Sequence, residues 1–154
     1  LGIDEKELEV LMGLIYKKVK LIGPKAIGEF TALMDTGASE SFIRSEEAQQ
    51  IATPYKMPEP MILELGKGEL KADEAIFTYV ELDEVRLHWT FIVISDLTEQ
   101  VIIGADFFQR WKIKLDPETE KIIFDPKALK LKLVRTIFRR LDFKAPISYR
   151  QAHI

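Results

Sequence analysis

Cysteine is absent from this chain of 154 residues, and histidine occurs only twice. Without cysteine there are no disulfides, no thiol nucleophile and no thiolate metal ligand. His88 and His153 are far apart and share no ligand spacing. Neither a histidine metal site nor a Ser-His-Asp triad therefore has its parts. His88 sits between Leu87 and Trp89 in a strand-like run, where a structural role is expected. Long apolar runs are missing as well. The most apolar stretch, near Trp89 to Ile94, is about six residues, against roughly 18 needed to span a bilayer. The N-terminus is acidic (Asp4, Glu5, Glu7, Glu9) and lacks the basic lead of a secretory signal. A cytoplasmic location is the expectation, and the start at Leu1 fits a fragment or a processed chain.

What is present is the material of one ordered domain. Apolar residues make up 47% and charged residues 31%, and the length suits a single core. Charge is unevenly spread. Residues 1–124 carry 14 basic and 23 acidic side chains, whereas residues 125–154 carry 8 and 2. An acidic body with a basic tail suggests that the tail packs on the body, on a second copy or on an acidic partner. The expected division is an N-terminal extension at 1–13, a domain at 14–125 and a basic C-terminal extension at 126–154.

Strand patterns dominate the domain. Residues 4–11 have the makings of one or two helical turns. Leu14 to Gly23 reads as a strand that ends at Gly23-Pro24, a strong turn signal. Gly28 to Asp35 alternates and then becomes fully apolar, as a strand buried on both faces at one end would. "RSEEAQQIA" reads as a helix, with Ser45 as its cap and Glu46 and Glu47 in the first turn. Pro54, Pro58 and Pro60 keep the next segment extended. Met61 to Leu65, Gly66-Lys67-Gly68 and Glu69 to Lys71 read as a hairpin, with glycines allowing positive φ at the tip. Val85 to Ser95 is another strand. "QVIIGADFF" leads into a short helix ending near Trp111, and "KIKLD" and "KIIFD" flank a final turn. The class is mainly β: a closed, barrel-like domain with one or two short helices. "FTALMDTGASESFI" and "TEQVIIGADFF" each place an apolar run before a Gly-containing turn, a faint repeat that suggests two related halves.

The chemistry gathers at "ALMDTGASESFI", where an apolar strand ends in Asp35-Thr36-Gly37. Two carboxylates that share one proton and hold a water can hydrolyse a peptide bond. Like charges so close cannot both ionise easily, and the pair titrates as a unit. Gly37 would let backbone N–H groups approach the carboxylates, Thr36 could bond across a symmetry axis, and Ala38 is small enough to line a cleft. The tripeptide alone is weak, because Asp and Gly also make ordinary turns. A phosphoryl-accepting aspartate is a poorer fit, since the second Asp that pattern places two residues on is replaced by Gly37.

Context sharpens the reading. "ALMDTGASESFI", the hairpin "LELGKGEL" and "VIIGADFFQRWKIKLD" together resemble the retropepsin-like aspartic proteases, the family of retroviral proteases and their cellular and prokaryotic relatives. The resemblance spans roughly Tyr16 to Phe124. It implies Asp35 as the catalytic carboxylate, with Thr36 and Gly37 completing its turn. It implies substrate contacts at Ala38, Ser39, Leu65, Gly66, Lys67, Gly68 and Ile103, of which Gly66 to Gly68 form a flap tip. It also implies that Ile102, Ile103 and Gly104 pass beneath the active site. The helix after the active-site strand departs from the compact viral enzymes and favours cellular or prokaryotic relatives. The charged Lys67 departs from the usual flap tip.

A second Asp-Thr/Ser-Gly is lacking. Asp106 follows its glycine instead and falls in the helix. The expected partner of Asp35 is Asp35 of a second copy, because an isologous contact brings near-axis residues face to face. The expected protein is a homodimeric aspartic endopeptidase acting on peptide or protein substrates, with no cofactor and no metal. A dimeric peptide-binding or scaffolding module of the same fold is the alternative. In the tail, "ALKLKLV" alternates like an interface strand. "VRTIFRRL" places Val134, Ile137, Phe138 and Leu141 on one helical face, opposite Arg135, Arg139 and Arg140. Packing on the body or the dimer partner is the preferred reading, with nucleic acid or a membrane surface as the alternative.

Overall fold

A computed structural model describes residues 2–4, 14–65, 68–125 and 127. The expected helical turns at 4–11, the flap residues Gly66 and Lys67, and the tail segments from Ala128 onward fall mainly or wholly outside the described residues. In chain order the elements are β1 (Ile15–Ile22), β2 (Ile27–Met34), β3 (Phe42–Arg44), α1 (Ser45–Ile51), β4 (Tyr55–Leu65) and β5 (Gly68–Leu82). Then come β6 (Val85–Ile94), β7 (Val101–Ile103), α2 (Ala105–Trp111), β8 (Lys114–Asp116) and β9 (Lys121–Ile123).

The alternating runs pair mostly with their sequence neighbours. β1 and β2 form an antiparallel hairpin in unbroken register from Ile15↔Met34 to Ile22↔Ile27. β5 pairs with β6, and β4 with β5. Non-local pairing then closes the sheet. Its order is β1-β2-β7-β3-β6-β5, and β5 returns to β1 through Lys20↔Glu81, Leu21↔Val80 and Ile22↔Tyr79. The result is a six-stranded barrel without a free edge, with β4 added outside on β5. Two short helices and the separate β8–β9 hairpin complete the mainly β fold.

The closing seam is reinforced by polar groups. Thr78 is buried, and its hydroxyl lies 3.0 Å from the Ile22 carbonyl and 2.7 Å from its neighbour's, Tyr79. On the outside, the Glu81 carboxylate accepts from Arg86 at 2.7 Å and lies 3.7 Å from the Lys20 ammonium. The hydrogen bond from Arg86 holds the Glu81 carboxyl below its ordinary pKa. Inside, Leu21, Ile43, Val80, Phe91, Ile103 and Phe107 are wholly buried in one core. Phe107 comes from α2 and meets the Trp89 ring edge to face, with centroids 5.4 Å apart. This contact caps one end of the barrel with a helix.

One detail departs from expectation. Ser45 does not cap α1. The N-cap is Arg44, which makes no side-chain capping bond, and the Ser45 hydroxyl instead accepts from Gln49 Nε2 at 3.1 Å. Glu47, in the first turn as expected, is 2% exposed and grips Arg44, whose Nε donates to both its oxygens at 2.8 and 2.9 Å. The ion pair wins because Glu47 lies on the buried face with Ala48 and Ile51, where an unpaired carboxylate would be costly. Pro58 and Pro60 do keep their segment extended. They fall within β4, where pairing with β5 shifts register between Lys56 and Met61, as expected of residues that cannot donate to a ladder.

Among the described residues no helix is long and apolar enough to cross a membrane.

The β5–β6 turn is tight and strained. Leu82 pairs with Val85, so Asp83 and Glu84 alone make the loop, with φ of 47° and 67°. Two positive φ values in a two-residue hairpin turn favour Asn-Gly, and left-handed backbone costs an ordinary L-residue about 1–2 kcal/mol. The double variant Asp83→Asn, Glu84→Gly should raise stability by about 1 kcal/mol. The measurement is a higher denaturant midpoint with an unchanged slope.

Candidate active site

β2 places Asp35. The strand ends at Met34, and its last three residues pair in parallel with β7 through Ala32↔Val101, Leu33↔Ile102 and Met34↔Ile103. The pairing carries one residue further, since the Asp35 N–H donates to the Ile103 carbonyl at 2.8 Å. The carboxylate-bearing residue is thus the last one held by the barrel and the first of the turn. β7 also pairs with β3, through Phe42↔Ile102 and Ile43↔Val101. The two apolar runs that resembled a repeat in the sequence therefore lie side by side, and β3 returns on the far side of β7.

The turn is closed on itself. Asp35 Oδ1 accepts the Gly37 N–H at 2.9 Å, and the Asp35 carbonyl accepts the Ala38 N–H at 3.1 Å. These bonds orient the carboxyl group and fix the approach of Gly37, where an added Cβ would stand 3.2 Å from Oδ1. Asp35 and Ala38 are half-buried, while Thr36, Gly37 and Ser39 are exposed. The tip of the turn therefore faces outward.

The base of the turn is anchored differently. Gly104, between β7 and α2, is buried against it. An added Cβ there would stand 2.2 Å from the Glu40 carbonyl oxygen and 2.7 Å from that of Ala38. No side chain fits, and the backbones pass in direct contact. The Ala105 N–H donates to the Ala38 carbonyl at 2.7 Å. Ser41, 1% exposed, accepts the Gly104 N–H at 2.9 Å and donates to Asp106 Oδ1 at 2.7 Å. The same carboxylate oxygen accepts the Phe107 N–H at 2.9 Å. Ser41 and Asp106 both stand in the quoted motifs, but sequence reading gave neither a role in the site. The signal available was their placement, six residues beyond Asp35 and two beyond Gly104.

The flap is a hairpin of β4 and β5. Met61, Leu63 and Leu70 pack with Phe42, Ala72, Ile92, Ile94 and Leu97 in a second apolar cluster. Leu65 pairs with Gly68, whose φ of 141° is one that glycine alone adopts readily. Gly66 and Lys67 lie outside the described residues. Ile103 differs from its expected substrate role. It is 0% exposed and belongs to the barrel core, so its side chain has no access to a cleft, and its link to the site is the carbonyl that holds Asp35. Among the described residues no three His, Asp or Glu side chains gather as a metal site.

A closed barrel, an Asp-Thr-Gly turn at the end of β2, and a hairpin flap define the class of retropepsin-like aspartic proteases. Solved structures of that class share the fold. The retroviral protease-like domain of Ddi1 from Leishmania major is 20% identical, with a TM-score of 0.57 over 73% of this chain and 88% of that one. EIAV protease complexed with the inhibitor HBY-793 is 19% identical, with a TM-score of 0.52 over 66% and 90%. Comparison with curated protein sequences gives no match. The sequence pattern of the family described as "gag-polyprotein putative aspartyl protease" matches residues 27–110. The chain belongs to that family.

The Gly104 contact yields a direct test. Gly104→Ala should destabilise the fold by about 1–3 kcal/mol, because overpacking here drives a methyl group into backbone rather than into a flexible side chain. Chemical denaturation should show a lower midpoint, and an unchanged midpoint would contradict the contact.

Proposed function

We propose that this protein is an aspartic endopeptidase in which Asp35 from two copies forms one catalytic dyad. The observation that carries the reading is the outward-facing Asp35-Thr36-Gly37 turn. Its carboxyl is oriented by the Gly37 N–H, and its tip is open to a second copy. With one such motif per chain, a twofold axis through the turn is the economical source of the second carboxylate. Membership of the aspartyl protease family supports the same chemistry.

In this mechanism the two Asp35 carboxyls share one proton and hold a water. The ionised member takes a proton from the water as it attacks the scissile carbonyl. The protonated member donates to the carbonyl oxygen; as the tetrahedral intermediate collapses, the carboxyl that took the water's proton passes it to the leaving amine, and a hydroxyl proton of the intermediate returns to the other carboxylate. Thr36 braces the turn across the axis. An extended peptide lies as a strand between the floor, at Ala38 and Ser39, and the flap, at Leu65 to Gly68. The apolar cluster under the flap, with Met61, Leu63 and Leu70, offers greasy surface to apolar side chains of the peptide.

Asp35→Asn should reduce cleavage of a diverse peptide library, assayed from about pH 4 to about pH 7, to background while leaving the sedimentation of the dimer unchanged. Cleavage retained by that variant would overturn the mechanism. Peptide binding by the unaltered protein without cleavage sensitive to a statine-type inhibitor would favour a binding module instead.

A dimeric site carries a second consequence. Specific activity should fall on dilution below the dimer dissociation constant, and activity should be highest in acid, where one carboxyl of the pair keeps its proton. Rates per chain that are independent of concentration, measured together with a monomeric mass, would contradict it.

A further inference from the structure

The peptide group between Ile103 and Gly104 is bonded on both sides. Its carbonyl accepts the Asp35 N–H at 2.8 Å, and its N–H donates to the Ser41 hydroxyl at 2.9 Å. One planar unit therefore lies between the backbone of Asp35 and a side chain from the far end of the same turn. The turn leaves β2 at Asp35 and reaches Ser41 just before β3. Rotation of that plane would break both bonds at once. Ile103 and Ser41 are both buried, where a backbone group left unpaired is costly.

The Ser41 hydroxyl is itself aimed. A hydroxyl has one proton and two lone pairs. Ser41 gives its proton to Asp106 Oδ1 at 2.7 Å, which leaves a lone pair for the Gly104 N–H. Asp106 Oδ1 is held in turn by the Phe107 N–H at 2.9 Å, and Phe107 is wholly buried in the barrel core. The Ser41 backbone is fixed from another side, because its carbonyl accepts the Ile92 N–H of β6 at 3.1 Å. The bonds thus form one directed chain. It runs from the Asp35 N–H to the Ile103–Gly104 peptide, from that peptide to the Ser41 hydroxyl, and from the hydroxyl to Asp106. Every donor points toward the carboxylate, so each bond polarises the next.

We propose that Ser41 is a positioning residue whose hydroxyl, aimed by Asp106, locks the Ile103–Gly104 peptide plane and through it the backbone of Asp35. The lock acts on the peptide that seats the carboxylate-bearing residue, which sets it apart from a general contribution to stability. Its consequence for catalysis rests on the reading of Asp35 as the catalytic carboxylate. The lock itself does not, so it is tested first on the backbone.

Native-state hydrogen exchange reads the lock at the Asp35 and Gly104 amides, with the amides of the β1–β2 hairpin as reference. Ser41→Ala should lower protection at Asp35 and Gly104 about tenfold more than in the hairpin, as loss of one buried bond would. An equal fall at turn and hairpin, or none at the turn, would overturn the proposal. Should Ser41→Ala not fold, Asp106→Asn takes its place. Its amide oxygen can still accept from Ser41 and Phe107, but without the full charge the bonds along the chain weaken. The Gly104 amide proton should then move upfield, and that of Asp35 in the same direction by less, with the hairpin resonances unmoved. An unmoved Gly104 resonance would overturn the proposal. In cleavage assays Ser41→Ala should lower kcat by roughly ten- to a hundredfold with KM little changed; an unchanged kcat would overturn the positioning role. Absence of cleavage by every form, the unaltered protein included, would sink the reading of Asp35, and the exchange result would still decide the lock.

Discussion

The structure depends on the direct backbone contact between the active-site turn and the segment that follows β7. A barrel strand can end in a carboxylate anywhere, but the residue stays fixed only if the chain beyond it has somewhere to go. Here β2 and β7 run parallel, the Ile103 carbonyl takes the Asp35 N–H, and the bare backbone at Gly104 lets Ala38 and Glu40 lie across it. Parallel pairing normally needs a long crossover between partners. The crossover in this chain is the rest of the barrel, β3 to β6, so the site is assembled only when the sheet has closed. Loss of the Gly104 contact would disturb the Asp35 turn, the start of α2 and the seating of Phe107 under Trp89 together.

Much of this arrangement was legible in the residues. The change from alternation to an unbroken apolar end in β2 matches a strand held between β1 and β7, and the burial of Ala32, Leu33 and Met34 follows from it. Hairpins announced themselves by Gly-Pro and by paired strand runs. What remained hidden was long-range and polar. Arg44 displaced Ser45 at the start of α1 because Glu47, on the buried helix face, needed a counter-charge. No local rule exposes that need, since it arises only when the helix is laid on the barrel. The family resemblance implies a substrate contact at Ile103, yet strand alternation turns its side chain into the core and leaves only its carbonyl at the site. The bond between Ser41 and Asp106 joins residues 65 apart in the chain, which no periodicity reveals.

The closed barrel also decides what is left for a partner. Closure removes sheet edges as sites of association, apart from β4 on the outside. Around the site, the surface left open is the tip of the turn at Thr36, Gly37 and Ser39. The second cluster, beneath β4 and β5, covers the barrel wall with Met61, Leu63 and Leu70 but leaves them only partly buried.

Rigidity is graded across the turn. Its base is a set of buried hydrogen bonds at Ser41, Gly104 and Ala105, in a setting where each bond is costly to leave unmade. Its tip is held by two bonds from Asp35 and is otherwise open. The base sets the position of Asp35 within its own barrel, while the tip at Thr36, Gly37 and Ser39 is left exposed. Glu40 stands at the boundary between the two, with its carbonyl against Gly104.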